Sequence, residues 1–428
     1  MTTEAASSAP HQDPGATAAP GGFAERYPLL HAVFGDPSRQ TILVTSLIAV
    51  ILYAIIIIRG VIESEDLVLP GIAVIGGDFT VFWMAAKTLF AEGAGALYQP
   101  GALNTRLAAA FPAYGPFSLF WQYPPTIYFL VAPLAALPYP AALAAWGAAT
   151  AGLAAAAIRS LWRARLPLIV GFASAAAYEG WITGQTGFLT AALLALAAGH
   201  ADKRPLVAGI AAGLLTFKPQ LGLLIPVAYA AAGCWRAFGA AAVTGTLMAA
   251  ASIVFFGAET WLAFFDAMSA HSARMSEVIF PYYKLITPYG FFMTLGAPSW
   301  FALTMQGLAS LALAAFVFVV WRRSEAWETR MFTLIAAAAL ATPYAFYYEA
   351  PIFIPALIVL AKRAMDTGWL PFEKQALMAL WFLPVFTPGP DYIPVPALIA
   401  FAAFALCARR AVHECGVQFP KLKTISNA

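Results

Sequence analysis

Six polar segments interrupt an otherwise apolar chain, and they hold the residues able to do chemistry. In GGDFTVFWMAAKTLFAEGAGALYQP, residues 76–100, Asp78 stands between a glycine pair and a stretch in which Phe79, Phe82, Trp83, Ala86 and Phe90 recur at helical spacing. An amphipathic helix of this kind lies in a membrane interface and holds its carboxylate at the headgroup boundary. Alternatively Asp78 only caps the helix, accepting from first-turn amides. In TFKPQLGLLIP, residues 216–226, Lys218 falls between two apolar runs. An ammonium there either snorkels or meets an anion, and ahead of Pro-Gln at a helix start it could hold a phosphate. TPYAFYYEAPIFIPAL, residues 342–357, brings Tyr344, Tyr347, Tyr348 and Glu349 to the end of an apolar run. An aromatic belt accounts for the tyrosines and leaves the glutamate unexplained.

The remaining three segments are plainer. EGWITGQTGFLT, residues 179–190, puts Glu179 and Gln185 at a glycine-rich break, which reads equally as a capped turn. WQYPPTIYFLVAPLAALPYP, residues 121–140, opens an apolar run with Tyr123-Pro-Pro, an ordinary helix start because the first helical position needs no donor. The stretch 257–299 carries His271, Arg274, Glu277, Tyr282, Tyr283 and Lys284, a mixture that suits a loop over a cavity and a merely solvated loop alike.

These segments must be positioned by membrane helices. Of 428 residues, 61% are hydrophobic and 11% charged, against about a quarter charged in soluble domains. The apolar residues form runs of about 12 to 22, too continuous for the alternating strands of a barrel. We expect an all-α bundle of about 12 transmembrane helices, with the helix after Asp78 interfacial in the first extracytoplasmic loop. Residues 1–38, rich in Ala, Pro, Ser, Gly and Thr and without an apolar signal core, read as a disordered cytoplasmic tail. The membrane domain is assigned to 39–411, with extracytoplasmic loops 60–118 and 257–299, and residues 412–428 to a second cytoplasmic tail.

Orientation follows the basic residues. Arg26 and Arg39 precede the first run, TILVTSLIAVILYAIIII, so the N-terminus is placed inside. Placing Arg159/Arg163/Arg165, Lys203/Arg204, Arg236, Arg322/Arg323/Arg330, Lys362/Arg363 and Arg409/Arg410 inside as well brings 184–187, 216–220, 257–299, 342–349 and 387–392 to the opposite face. The polar motifs then share one face, the extracytoplasmic one. Two outside points need an even number of crossings, yet three runs, at 121–138, 140–158 and 166–182, separate loop 60–118 from Gly184. One of the three is therefore expected to be re-entrant or broken at Pro124/Pro125, Pro133 or Pro138/Pro140.

Several functions lack their parts. A net charge of +3 with no basic stripe argues against nucleic acid. Cys234, Cys407 and Cys415 form no CxxC or Cys/His pattern, and their odd number argues against a disulfide framework. There is no Walker A, dinucleotide-binding glycine fingerprint, HExxH or GxSxG. A transporter or lipid flippase of the same bundle class is the competing reading, and it expects functional charges at the bilayer midplane rather than on one face. A non-catalytic scaffold expects no cavity.

The order Gly-Asp-Phe-Thr-Val-Phe-Trp-Met-Ala-Ala-Lys, Tyr-Pro-Pro, Gly-Gln, Lys-Pro-Gln and Thr-Pro-Tyr…Tyr-Glu resembles glycosyltransferase family 87 over about residues 40–365. These are membrane enzymes of the GT-C type, among them polyprenyl-phosphate-mannose-dependent α-mannosyltransferases. The resemblance implies transfer of a hexose, mannose above all, from a polyprenyl-phosphate donor to a lipid or glycan acceptor hydroxyl at the periplasmic face. It makes Asp78 the catalytic residue. An inverting transfer needs a base for the acceptor hydroxyl, and Lys218 would then steady the departing phosphate. Tyr123, Gln185, Gln220, Tyr344, Tyr348 and Glu349 are assigned to the cavity. Two departures stand out: Thr342-Pro343-Tyr344 occupies the place of a Ser-Pro-His, so no histidine role carries over, and no second carboxylate forms an Asp-x-Asp with Asp78. No cofactor and no obligatory metal is therefore expected, with a divalent ion held by other residues left open.

Overall fold

The computed structural model describes residues 39–69, 73–274, 280–383 and 390–416, with the backbone alone for 271–274. The tail 1–38, residues 417–428, Glu277, the side chains of His271 and Arg274, and the 387–389 part of the 387–392 turn lie outside the described residues.

Among the described residues the regular elements are helices, apart from one two-residue antiparallel pair, Val68–Leu69 with Ala73–Val74. Helix α1, Arg39–Glu63, is followed by α2, Phe79–Glu92, α3, Ala102–Ala110, and α4, Tyr139–Leu161. Next come α5, Leu166–Phe172, α6, Ala175–Thr183, α7, Gly187–Gly199, α8, Pro205–Leu214, and α9, Ile225–Ala232. Then follow α10, Trp235–Phe256, α11, Ala258–Arg274, α12, Pro288–Thr294, and α13, Ser299–Arg323. Helices α14, Trp327–Leu340, α15, Phe353–Thr367, α16, Glu373–Phe382, and α17, Val395–Glu414, complete the described residues.

Among the described residues, α1, α4, α10, α13 and α17 are the helices long and apolar enough to cross a membrane. That is fewer than the 12 spans read from hydropathy, because several apolar runs are divided by proline or glycine into pieces of 7 to 15 residues. A 30 Å hydrocarbon layer needs about 20 residues of helix, so such pieces reach across only part of it. The burial of each helix follows its composition. Helix α7, apolar on every side, and helix α14, apolar beyond its first turn, are buried almost entirely and form the centre. Helix α1, by contrast, buries only Ser46 and Ala49 and turns its isoleucines outward, as a lipid-facing helix does. Gly209 and Gly213, four apart on α8, let it approach α10 so closely that a Cβ on Gly209 would lie 2.4 Å from that of Ala240.

Of the three runs before Gly184, 121–138 is the one that fails most clearly to span. It folds as a 3₁₀ turn Pro125–Ile127, one α turn Tyr128–Val131 and a second 3₁₀ stretch Ala132–Ala136 around Pro133. The freed carbonyls are satisfied by α2: Lys87 Nζ donates to Ala135 O at 2.7 Å and Trp83 Nε1 to Leu137 O at 3.1 Å. Run 166–182 is also divided, at Ser174 between α5 and α6. The partner of the α2 stripe needs correction. Phe79, Phe82 and Ala86 are fully buried against protein, and only Phe90, 71% exposed, faces outward at the far end. The stripe that the sequence assigned to lipid packs on Tyr139, Trp146, Trp121 and Tyr123.

The basic run ends converge at one end of the bundle. Ser160 bonds His200, Asp202 accepts from both Cys234 and Arg330, Lys362 pairs with Glu328, and Glu414 accepts from Arg363 and Thr329. Arg410 and Glu373, each 1% exposed, form a buried two-pronged pair. Arg410→Ala leaves that carboxylate uncompensated, so a loss of about 3–5 kcal/mol is expected. Thermal unfolding in detergent should record it, and a wild-type melting curve for the variant would contradict the reading.

Candidate functional site

At the opposite end, the glycine pair turns the chain into α2. Gly76 and Gly77 both have positive φ, 91° and 50°, a conformation open to glycine without cost. Tyr139 OH fixes the turn by donating to Ile75 O at 2.6 Å. Asp78 occupies the position before the first helical residue, yet its side chain makes no cap. Its Oδ2 instead accepts from Gln185 Nε2 at 3.1 Å, across a sequence separation of 107. The capping alternative is thereby set aside.

Gln185 arrives through a second glycine device. Gly184, at φ +57°, sits so tightly under α2 that a Cβ would lie 2.6 Å from Phe79 Cβ and 2.9 Å from Gly76 O, while its carbonyl accepts from Trp146 Nε1 at 2.9 Å. Gly184→Ala must therefore displace Phe79 or the Asp78 turn. A stability loss of about 1–3 kcal/mol is expected, with transfer falling further than folding does; equal activity per folded molecule would count against this.

From Gln185 the network continues inward. Its Oε1 accepts from Tyr123 OH at 2.9 Å. Tyr123 is locked by the surrounding aromatics, with Phe82 5.2 Å and Trp121 5.3 Å away between ring centres, and its carbonyl accepts from Tyr98 OH at 2.7 Å. Lys218 Nζ stands 5.5 Å from the centre of the Tyr123 ring and 5.4 Å from that of Tyr348, close enough for cation–π attraction to both. Lys218 lies between two 3₁₀ pieces, Leu215–Phe217 and Pro219–Gly222, the second opened by its following proline. Its ammonium forms an ion pair with Glu349 in the 3₁₀ stretch Tyr347–Ile352. Both partners are buried, 5% and 2% exposed, so snorkelling to water does not describe Lys218.

The five residues Asp78, Gln185, Tyr123, Lys218 and Glu349 thus form one continuous polar chain, with Tyr348 beside it. Burial raises the Asp78 carboxyl above its ordinary value, and the Gln185 hydrogen bond, Lys284 and Lys218 oppose that rise. A carboxylate held this way is a better proton acceptor than a solvated one. Gln220 and Tyr344 stand apart. Gln220 is partly exposed, with no hydrogen bond to the network among the described residues. Tyr344 is 37% exposed and packs edge-on against Tyr289, 6.2 Å between ring centres. Lys284 is the residue the motif reading left in an undifferentiated loop. Its segment runs alongside the late motif: Leu285 bridges to Phe346, Ile286 N donates to Ala345 O at 2.9 Å, and Thr287 Oγ1 to Pro343 O at 3.1 Å. Its place directly after Tyr282-Tyr283 and before the Thr287 helix cap was the available signal. Among the described residues no three His, Cys, Asp or Glu side chains converge as metal ligands would.

An apolar groove of about 850 Å³ reaches Tyr347 and Ala350, the chain neighbours of Tyr348 and Glu349, without being lined by the network residues themselves. It begins at Arg39, Arg165 and Lys374, at the basic end, and passes between α1, α5, α15 and α17 to Ile286, Tyr347 and Ala350.

A helical membrane protein with an acid–lysine chain at one end and an apolar groove reaching Tyr347 beside it is the class these features define. The chain belongs to glycosyltransferase family 87, whose family model matches residues 121–343. The matched stretch contains Tyr123, Gln185, Lys218 and Gln220; Asp78, 43 residues before it, and Glu349, six residues after it, are tied to it by the contacts above. No curated protein and no solved structure matches the chain. As a member of a glycosyltransferase family, it works on a sugar donor and an acceptor.

Proposed function

We propose that this protein transfers a hexose, mannose in the first instance, from a polyprenyl-phosphate donor to the hydroxyl of a lipid or glycan acceptor, with inversion at the anomeric carbon. Asp78 takes the proton of the acceptor hydroxyl as that oxygen attacks. The bond between the anomeric carbon and the phosphate oxygen breaks, and its electron pair leaves with the lipid phosphate. Lys218, with its charge shared by Glu349, faces that phosphate. Gln185 aims the Asp78 carboxylate, and Tyr123 fixes Gln185.

The observation carrying this reading is the junction of base and lysine through Gln185 and Tyr123, with Tyr348 and Glu349 next in sequence to the Tyr347 end of an apolar groove. A lipid-linked donor needs an apolar channel for its tail beside a site for its charged head, whereas a nucleotide sugar needs a water-facing cleft with phosphate-binding amides. The gathering of basic run ends at the other end supports a periplasmic site in the inner membrane. The transporter and flippase reading is weaker, because Asp78 and Lys218 join one network instead of marking a polar path through the centre. Full-length protein in proteoliposomes, given labelled polyprenyl-phosphate-mannose or labelled nucleotide-mannose, should transfer from the first alone. Transfer from the nucleotide sugar, without the lipid-linked one, would sink the assignment.

A further inference from the structure

We propose that Lys284 is a second cation for the donor phosphate, meeting the charge that appears as the lipid phosphate departs. This rests on the polyprenyl-phosphate reading above.

Charge arithmetic at the network motivates it. Asp78 and Glu349 carry two negative charges and Lys218 one positive, so the network by itself is net negative and would repel an incoming phosphodiester. Lys218 is moreover already engaged, buried in its ion pair with Glu349. A further cation is required, and Lys284 stands where one is needed. The β-bridge of Leu285 to Phe346 and the Ile286 to Ala345 hydrogen bond set its segment against the strand-like entry to Tyr348 and Glu349. Phe280 packs on Phe346, 5.9 Å between ring centres, and reinforces that placement. Lys284 is half-buried and forms no ion pair with any described residue; its ammonium lies 5.7 Å from the Tyr283 ring centre. Its charge, like that of Lys218, acts to lower the Asp78 carboxyl, so it lies within electrostatic reach of that group. Two residues further on, Ile286 lines the end of the apolar groove. The phosphate of a lipid lying in that groove would therefore emerge between Lys284 and Lys218.

The chemistry gives Lys284 a defined moment of action. The donor is a phosphodiester with one negative charge. When the bond to the anomeric carbon breaks, the lipid phosphate becomes a monoester that gains a second charge, while the acceptor proton passes to Asp78. A free ammonium favours that product-like state over the ground state, and so acts on kcat as well as on binding.

The test uses full-length protein in nanodiscs, with a short-chain polyprenyl monophosphate and the uncharged polyprenol of the same length as probes. Wild type should bind the monophosphate more tightly than the alcohol. Lys284→Met should weaken monophosphate binding about 10-fold or more and leave polyprenol binding unchanged, while Lys284→Arg retains most of the preference. In transfer assays Lys284→Met should lower kcat as well as raise KM. Wild-type monophosphate binding by Lys284→Met, with wild type itself preferring the phosphate, overturns the role of Lys284 alone. A wild type that does not distinguish the two probes overturns the lipid-phosphate reading, and Lys284 with it.

Discussion

Asp78→Asn is expected to lower transfer about 10²- to 10⁴-fold, the range that removal of a positioned general base produces, while the protein folds at least as well as before. The amide keeps the shape of the carboxylate, and its oxygen still accepts from Gln185 Nε2. What it loses is the capacity to take a proton. The stability side has a definite sign. Burial raises the folded-state value of this carboxyl above that of the unfolded chain, so its ionised form costs stability at every pH above the unfolded value. At neutral pH the neutral amide removes that cost, and the melting temperature should hold or rise. The same shift governs the activity profile: as pH falls, wild-type kcat/KM should decline through a value above the ordinary carboxylate range, where the base becomes protonated. Transfer by Asp78→Asn within a few-fold of wild type, measured with labelled donor in membranes, would remove Asp78 from the mechanism. So would a low-pH limb at the value of a solvated aspartate.

How much of this could be read from the chain differs from residue to residue. Asp78, Tyr123, Gln185, Lys218 and Glu349 were each visible as a polar residue in an apolar context, where burial demands a partner. Their partners were not visible, because the contacts join positions 107, 62 and 131 apart and no local periodicity encodes them. The alternatives for Asp78 and Lys218 stayed open for this reason: a cap and a snorkelling lysine are local arrangements, and long-range packing decided against both. Helix α2 shows the reverse error. Its apolar stripe was read correctly as a stripe but assigned to lipid, since an amphipathic face does not say whether hydrocarbon or a wall of Trp and Tyr will cover it. Hydropathy likewise counted apolar runs as spans. Pro133 and the break at Ser174 divide two of those runs into pieces whose freed backbone groups are satisfied inside the protein, a circumstance that composition does not register. Lys284 was hidden by its neighbourhood, because a lysine among Tyr, Glu and Arg looks solvated until the two residues after it are seen paired with Ala345 and Phe346.

The Lys218–Glu349 pair should behave as a unit for folding and as two separate parts for catalysis. Lys218→Met leaves a buried carboxylate whose Oε2 already has no hydrogen-bond partner, and Glu349→Leu leaves a buried ammonium between the Tyr123 and Tyr348 rings. Each single change strands a charge away from water and should cost about 3–5 kcal/mol. Changing both together removes the stranded charge and keeps the volume filled, so the double variant should recover most of that loss. A coupling of this size between two sites 131 residues apart is what direct contact predicts and what independent sites cannot show. Transfer should not recover with stability: the double variant lacks the ammonium that faces the donor phosphate, and a deficit of about 10²-fold or more is expected from loss of one preorganised cation. Thermal unfolding of the four proteins in one detergent, read beside transfer per folded molecule, separates the two roles. Additive stability losses would mean that the pair does not form, while a double variant that transfers sugar normally would leave Lys218 as a structural counter-ion and pass the phosphate to Lys284 alone.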